Sequence, residues 1–252
     1  MTAPAPLPPQ DAARVARRAL PLLDLTDLSD ACTAAAAAEL CGKARASGVA
    51  AVCVWPGFVA ASVRALQGSG VRVATVINFP EGGEDSDRAV ADTSASLAEG
   101  ADEIDLVLPY RALMRGDAEG ARGMVAAVRA ACPDRLLKVI LETGMLEEPD
   151  LIARASRLSL EAGADFIKTS TGKTPVSATL PAAEIMLSAI RARGDRSAGL
   201  KVSGGLRRVE DAGAYLALAD RIMGPDWVSP NTFRIGASAL HADLVRALEA
   251  AP

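Results

Sequence analysis

Residues 99–107 read Glu-Gly-Ala-Asp-Glu-Ile-Asp-Leu-Val, and residues 161–169 read Glu-Ala-Gly-Ala-Asp-Phe-Ile-Lys-Thr. Each begins where a helix ends, because a glycine that tolerates left-handed backbone closes an alanine-rich segment. Each then passes into a short apolar run that reads as a strand. The two phrases are one helix-to-strand junction used twice, which is a βα unit and not a solenoid repeat.

Working outward, the runs ADEIDLVLP (101–109) and ADFIKTST (164–171) have six companions. They are ALPLLDL (19–25), VAAVCVWP (49–56), VRVATVINF (71–79), LLKVILET (136–143), GLKVSG (199–204) and FRIGAS (233–238). The stretches between them, such as SDRAVADTSASLAEG (86–100) and VEDAGAYLALADRIM (209–223), carry apolar residues at helical spacing. Eight strand–helix alternations over 252 residues predict an α/β chain folded as a (β/α)8 TIM barrel with a short N-terminal helix. A doubly wound open sheet is the alternative, but it needs a topological switch that the sequence does not display. Residues 1–10, MTAPAPLPPQ, are expected to be a flexible lead, and residues 11–252 a single barrel domain.

Composition narrows the function. A net charge of −4 argues against a nucleic-acid or anionic-membrane surface. No apolar run reaches the ~18 residues of a membrane span. The first ten residues lack the basic-then-apolar order of a signal peptide, so a cytoplasmic location is expected. Cys32, Cys41, Cys53 and Cys132 show no metal-ligand spacing and are expected as free thiols, with Cys53 a packing residue. The single histidine, His241, is expected on a solvated face of the last helix. With one imidazole, neither a His-rich zinc site nor a Ser/His triad is expected, and no metal is predicted.

The lysines carry the chemical signal. The chain has 27 Lys and Arg together, of which only Lys43, Lys138, Lys168, Lys173 and Lys201 are lysine. Lysine, unlike arginine, can lose its proton and attack a carbonyl carbon. Period-two alternation groups Glu103, Asp105 and Val107 on one face of the fourth strand, and Lys138, Ile140 and Glu142 on the fifth. It groups Phe166, Lys168 and Ser170 on the sixth, and Lys201 with Ser203 on the seventh. One charged residue on one strand usually marks a solvated end or an ion pair. Four neighbouring strands presenting Asp105, Lys138, Lys168 and Lys201 point to a site inside the barrel. Asp24 joins that layer if the barrel closes, or else caps the following helix. A carboxylate among three ammonium groups leaves excess positive charge, which should push one lysine towards its neutral form. A neutral amine condenses with an aldehyde to an iminium ion, an electron sink for breaking or making the adjacent carbon–carbon bond. Asp105 is placed to shuttle the protons, and the route needs no cofactor.

A second signal lies at the strand ends. Ser170-Thr171-Gly172-Lys173, Ser203-Gly204-Gly205 and Gly236-Ala237-Ser238 follow strands six, seven and eight. Glycines let backbone N–H groups approach an anion, and loops after strands seven and eight recur as barrel phosphate sites. A Gly-Gly pair alone is an ordinary turn, but with Lys173 and Gly236-Ala237-Ser238 on the same rim, one phosphate is the expected ligand. No nucleotide is expected, since neither GxGxxG nor GxxxxGK[ST] is present.

These stretches resemble the deoxyribose-phosphate aldolases, which are Schiff-base (class I) aldolases. The likeness is carried by LDLT (23–26), AAVCVWP, VATVINFPEG, GADEIDLVLPYRALMRGD, LLKVILETG, GADFIKTSTGK, GLKVSGGLR, YLALAD and FRIGASAL, in family order. The resemblance implies reversible cleavage of 2-deoxy-D-ribose 5-phosphate to acetaldehyde and D-glyceraldehyde 3-phosphate, within deoxyribonucleotide catabolism. It implies Lys168 as the Schiff-base lysine, Lys201 as the lysine that lowers its pKa, and Asp105 as the proton relay. Lys138 and Asp24 match supporting polar positions. Gly172, Lys173, Gly204, Gly205, Gly236 and Ser238 match positions around the sugar phosphate. Association into a homodimer is also expected, with small aldehydes and sugar phosphates as the only other partners. One departure stands out: some members end in a longer tail with a tyrosine, whereas this chain ends at Ala251-Pro252. Enamine protonation is therefore expected to rest on Asp105, Lys201 and water. A different Schiff-base lyase or transferase, or a sugar-phosphate-binding barrel without catalysis, are the competing readings.

Overall fold

The computed structural model describes residues 7–194 and 197–250. Eight parallel strands close into a barrel in sequence order. They are β1 (Leu23–Asp27), β2 (Ala51–Val54), β3 (Arg72–Ile77), β4 (Glu103–Val107), β5 (Leu136–Ile140), β6 (Phe166–Lys168), β7 (Gly199–Ser203) and β8 (Phe233–Ala237). The closing seam pairs Leu23 with Ile235, Asp24 with Gly236 and Leu25 with Ala237.

Helices wrap the outside. In chain order they are α1 (Pro9–Ala19), α2 (Ala34–Ser47), α3 (Val59–Leu66), α4 (Ser86–Ala98), α5 (Tyr110–Met114) and α6 (Ala118–Ala131). They continue as α7 (Thr143–Leu146), α8 (Pro149–Glu161), α9 (Leu180–Arg193), α10 (Val209–Met223) and α11 (Leu240–Glu249). Their starts follow capping chemistry: Thr33, Asp85, Asp117 and Thr179 each accept the backbone N–H of the residue three positions on. Each such cap stabilises its helix by ~1 kcal/mol. The first helix overlaps the end of the expected lead. Proline at the first helical position is pre-set for helix, so α1 already begins at Pro9, while residues 1–6 of the expected lead lie outside the described residues.

The main core lies between barrel and helices. Outward-facing Leu23, Val52, Ile104, Val139, Ile167 and Val202 are buried there with α-helical partners such as Ala44, Val125 and Ile190. The lumen is different. Barrel interiors are ordinarily filled by layers of branched apolar side chains. Here Asp24, Glu103, Asp105, Lys138, Lys168, Lys201 and Arg234 occupy it, none more than 2 % exposed. Strand register makes them neighbours, with Asp105 opposite Lys138, Lys168 opposite Lys201, and Lys201 opposite Arg234. Among the described residues, no helix is long and apolar enough to cross a membrane.

Candidate active site

Asp105 is the hub of the lumen. Its Oδ2 accepts from Lys168 Nζ and from Lys201 Nζ, both at 2.8 Å, and its Oδ1 accepts from Lys138 Nζ at 2.7 Å. Lys201 lies also 2.6 Å from Asp24 Oδ2, and Lys138 lies 2.6 Å from Glu103 Oε2. Arg234 donates to Asp24 Oδ1 at 2.6 Å and to Glu103 Oε1 at 2.9 Å. Every carboxylate of the lumen thus has at least two cationic partners. Lys168 has a single close carboxylate contact, which it shares.

That asymmetry sets the three amines apart electrostatically. Burial favours the neutral form of all three lysines. For Lys138 and Lys201 it is outweighed, by Asp105 with Glu103 and by Asp105 with Asp24, so both are held charged with their pKa raised. For Lys168, burial together with the neighbouring Lys201 charge prevails over Asp105, and its pKa is lowered. Burial works against ionisation of Asp105, but the three surrounding lysines hold its carboxyl well below the usual range. Lys168 is therefore the one lumen amine pushed towards nucleophilic form.

Above the lysines, a cleft of about 500 Å3 opens at the C-terminal ends of the strands. All six residues expected around a phosphate line it: Gly172, Lys173, Gly204, Gly205, Gly236 and Ser238. Thr26, Leu28 and Arg207 complete much of the wall. Gly204 has φ of +87°, and a Cβ there would lie 2.6 Å from Ser177 Oγ, so only glycine fits the turn. A Cβ on Gly236 would meet Ser203 Oγ at 2.7 Å and Lys201 Cε at 3.0 Å, so this glycine makes room for the second lysine. Helix α11 begins at the cleft edge, and among the described residues no side chain caps its first turn. The Lys173 ammonium crosses the mouth to Asp30 Oδ1 at 3.0 Å and stands 6.0 Å from the centre of the Trp55 ring.

The side of the lumen nearest β2 and β3 is apolar. Cys53, Ala74 and Val76 cluster with Leu28, and Trp55 and Phe79 pack over them edge to face. Val76 is the strand neighbour of Asp105. Burial raises the pKa of the Cys53 thiol, consistent with a packing residue. Among the described residues, no three His, Cys, Asp or Glu side chains converge as a metal site.

The family model for DeoC/LacD family aldolases matches residues 18–243, and so covers the barrel from the end of α1 into α11. The chain belongs to the DeoC/LacD aldolase family. Solved structures agree. A Coccidioides immitis protein provisionally named a deoxyribose-phosphate aldolase is 33% identical, with a TM-score of 0.81 over 97% of this chain and 88% of its own. A Toxoplasma gondii protein given the same provisional name is 28% identical, with a TM-score of 0.89 over 96% and 99%. The Aeropyrum pernix deoxyribose phosphate aldolase, described as a unique tetramer, shares the fold at 23% identity and a TM-score of 0.77 over 95% and 97%. Aldolase chemistry, in which a carbon–carbon bond is cleaved or formed, is thus the class of reaction for this chain.

Three features of this DeoC/LacD aldolase depart from the reading of its sequence. With the barrel closed, Asp24 joins Asp105 and the three lysines in the lumen, and Glu103 and Arg234 are built into it as well, making three carboxylates and four cations. Arg234 lies on β8 two residues before Gly236, and arginine there carries no mark of chemistry in the sequence. Glu142 does not share the face of Lys138. Strand β5 ends at Ile140, and Glu142 takes left-handed backbone with φ of 57°, which breaks the alternation. Its buried carboxylate accepts from the backbone N–H and hydroxyl of Thr171 and from Thr174 Oγ1, so it anchors the loop that carries Gly172 and Lys173. Thr171 Oγ1 in turn accepts the Lys173 backbone N–H at 3.0 Å. His241 is half-buried, hydrogen-bonded to Ser47 Oγ at 2.7 Å, and its pKa is lowered by burial and the nearby Lys43. Its ring is turned to Ser47 at the end of α2 instead of standing free on a solvated face.

Proposed function

We propose that this chain is a Schiff-base aldolase that reversibly cleaves 2-deoxy-D-ribose 5-phosphate into acetaldehyde and D-glyceraldehyde 3-phosphate. The observation that carries the reading is the asymmetry of the lumen: of three buried lysines bridged by one aspartate, only Lys168 is pushed towards neutral amine. The amine adds to the aldehyde carbon of the open-chain sugar, and the carbinolamine loses water to leave an iminium. Removal of the C3 hydroxyl proton then breaks the C2–C3 bond, and the electron pair moves to the iminium nitrogen to form an enamine. Glyceraldehyde 3-phosphate leaves, the enamine carbon takes a proton, and water releases acetaldehyde from Lys168.

Asp105, ionised in the resting site, holds Lys168 and Lys201 on one oxygen, where the iminium charge develops, and takes the C3 hydroxyl proton through water before returning it to the enamine carbon. Lys201 is kept charged and has a proton to give to the departing hydroxyl, with water completing the relay. Ser170 Oγ, fully buried two residues beyond Lys168, has no hydrogen-bond partner among the described residues and is available to a substrate hydroxyl. The apolar wall of Leu28, Cys53 and Val76 suits a donor that carries no polar group beyond its carbonyl, which favours acetaldehyde over a hydroxylated ketone. The glycine-rich cleft and the start of α11 suit a phosphate at the other end of the substrate.

Borohydride reduction in the presence of acetaldehyde tests this directly. An ethyl group mapped to Lys168, with turnover of deoxyribose 5-phosphate, is the expected result. An adduct on Lys201 or Lys138 would reassign the nucleophile. No adduct with any carbonyl compound would overturn the Schiff-base reading.

A further inference from the structure

The charged and titratable groups around Lys168 come from nearly every strand. They are Asp24 on β1, the Cys53 thiol on β2, Glu103 and Asp105 on β4, Lys138 on β5, Lys201 on β7 and Arg234 on β8. From β3, Arg72 reaches Glu103 at 3.8 Å but is half exposed, so its charge is solvated. At the rim, Glu142 is turned to Thr171 and Thr174, and Lys173 to Asp30. With all amines protonated, the dry lumen therefore contains Asp24, Glu103 and Asp105 against Lys138, Lys168, Lys201 and Arg234. It carries one uncompensated positive charge, and loss of the Lys168 proton removes it.

We propose that Glu103 and Arg234, which do not touch Lys168, are positioning residues that set its readiness to lose a proton by fixing the net charge of the barrel lumen. This rests on the Schiff-base reading of Lys168 and deepens it. Arg234 supplies the fourth cation and holds Asp24 on one oxygen while Lys201 approaches the other. Glu103 bridges Arg234 and Lys138. Neither group is screened by water, since Glu103 is fully buried and Arg234 is 1 % exposed. A purely local account, in which only Lys201 and Asp105 matter, gives Glu103 and Arg234 no influence on Lys168. The charge count gives them opposite and cancelling influences.

Three variants separate the accounts. Glu103→Gln raises the excess by one positive charge, Arg234→Gln removes the excess, and the double variant restores the parent count. The readout is the acidic limb of the pH profile of kcat/KM, paired with the pH dependence of Lys168 acylation by a small amine-reactive reagent mapped by mass spectrometry. One buried unit charge roughly 10 Å away, at an effective dielectric constant of about 20, changes proton affinity by about tenfold or slightly more. Glu103→Gln should thus move the Lys168 midpoint down by about one pH unit and Arg234→Gln up by about one. The double variant should return to within a few tenths of the parent. Arg234→Lys, which keeps the charge, should leave it in place. If Arg234→Gln does not fold, Glu103→Gln and the double variant still decide the matter, because the double removes a whole ion pair and leaves no new unpaired charge. An unmoved midpoint in Glu103→Gln, or a double variant that stays displaced, overturns the proposal. Absence of a borohydride-trapped acetaldehyde adduct on Lys168 in the parent protein would instead overturn the Schiff-base reading of Lys168 itself.

Discussion

Replacing Lys168 with methionine should abolish turnover and leave the barrel at least as stable as the parent. The expectation follows from connectivity. Lys138 and Lys201 each bridge two carboxylates within 2.8 Å, whereas Lys168 touches only Asp105, which keeps Lys138 at 2.7 Å and Lys201 at 2.8 Å without it. Methionine fills a similar volume, adds no charge, and leaves three cations facing three carboxylates. Replacing a costly buried charge by a packed apolar side chain is typically neutral or stabilising by ~1–4 kcal/mol, whereas breaking a well-made buried pair costs ~3–5 kcal/mol. Lys168→Met should therefore hold or raise the melting temperature, by about 2–4 °C for each kcal/mol gained in a chain of this size. Lys138→Met and Lys201→Met should lower it. The pH dependence has a definite sign. The folded-state pKa of Lys168 is below its unfolded value, so between the two the unfolded chain binds more protons and parent stability rises with pH. The advantage of the variant is greatest below the folded-state pKa and disappears as pH approaches the unfolded value of ~10.4. Thermal unfolding followed by circular dichroism at neutral and alkaline pH, alongside turnover of deoxyribose 5-phosphate, measures both halves. Turnover should fall by ~10^4-fold or more, as for loss of other covalent nucleophiles. A Lys168→Met protein as destabilised as Lys138→Met, with a gap indifferent to pH, would refute the reasoning.

Lys201→Leu should move the acidic limb of the pH–rate profile to higher pH, since it removes the cation that opposes protonation of Lys168; an unmoved limb would count against that role. Glu142→Gln should raise KM for deoxyribose 5-phosphate by roughly tenfold or more, consistent with losing hydrogen bonds to a charged group worth ~1.5–3 kcal/mol. KM for unphosphorylated deoxyribose should change little, because the anchored loop carries Gly172 and Lys173 and not the amine. Gly204→Ala should cost ~1–2 kcal/mol of backbone strain in addition to the contact with Ser177, and should erase the preference for phosphorylated over unphosphorylated substrate. Competition kinetics between the two sugars checks it.

The barrel was legible because its helix-to-strand junctions repeat, as in EGADEIDLV and EAGADFIKT, and because period-two alternation holds along unbroken strands. The lysines were legible because lysine is scarce in this chain, so its placement in three strands carries information. Arg234 was hidden for the complementary reason: in an arginine-rich sequence one more arginine in FRIGAS carries no signal. Its meaning comes from barrel closure, which sets β8 against β1 and brings it within 2.6 Å of Asp24, more than two hundred residues away in sequence. Glu142 escaped because a single left-handed residue inverts the face on which a side chain emerges. No spacing rule anticipates that. His241 was read from its own helix alone, while its environment is set by Ser47 at the end of α2.

The division of labour between the two sides of the barrel wall explains how such a lumen survives. Seven buried charges gathered in one place are poor stabilisers, since desolvation consumes most of what their attraction returns. The apolar burial that stabilises the fold is largely outside, between strand faces such as Ile104, Val139 and Val202 and the helices that cover them. Closure of the sheet then fixes the inward positions whatever occupies them, so the lumen can hold a group in an unfavourable protonation state without losing its geometry. A lysine that gave up its discomfort by moving to solvent would regain its charge and cease to be a nucleophile. Lys168 has no such path, because both of its neighbouring strands are hydrogen-bonded along their length and its amine is confined beside Asp105 and Lys201. The reactivity proposed for this amine is thus a direct result of a rigid wall built by residues that have no part in the chemistry.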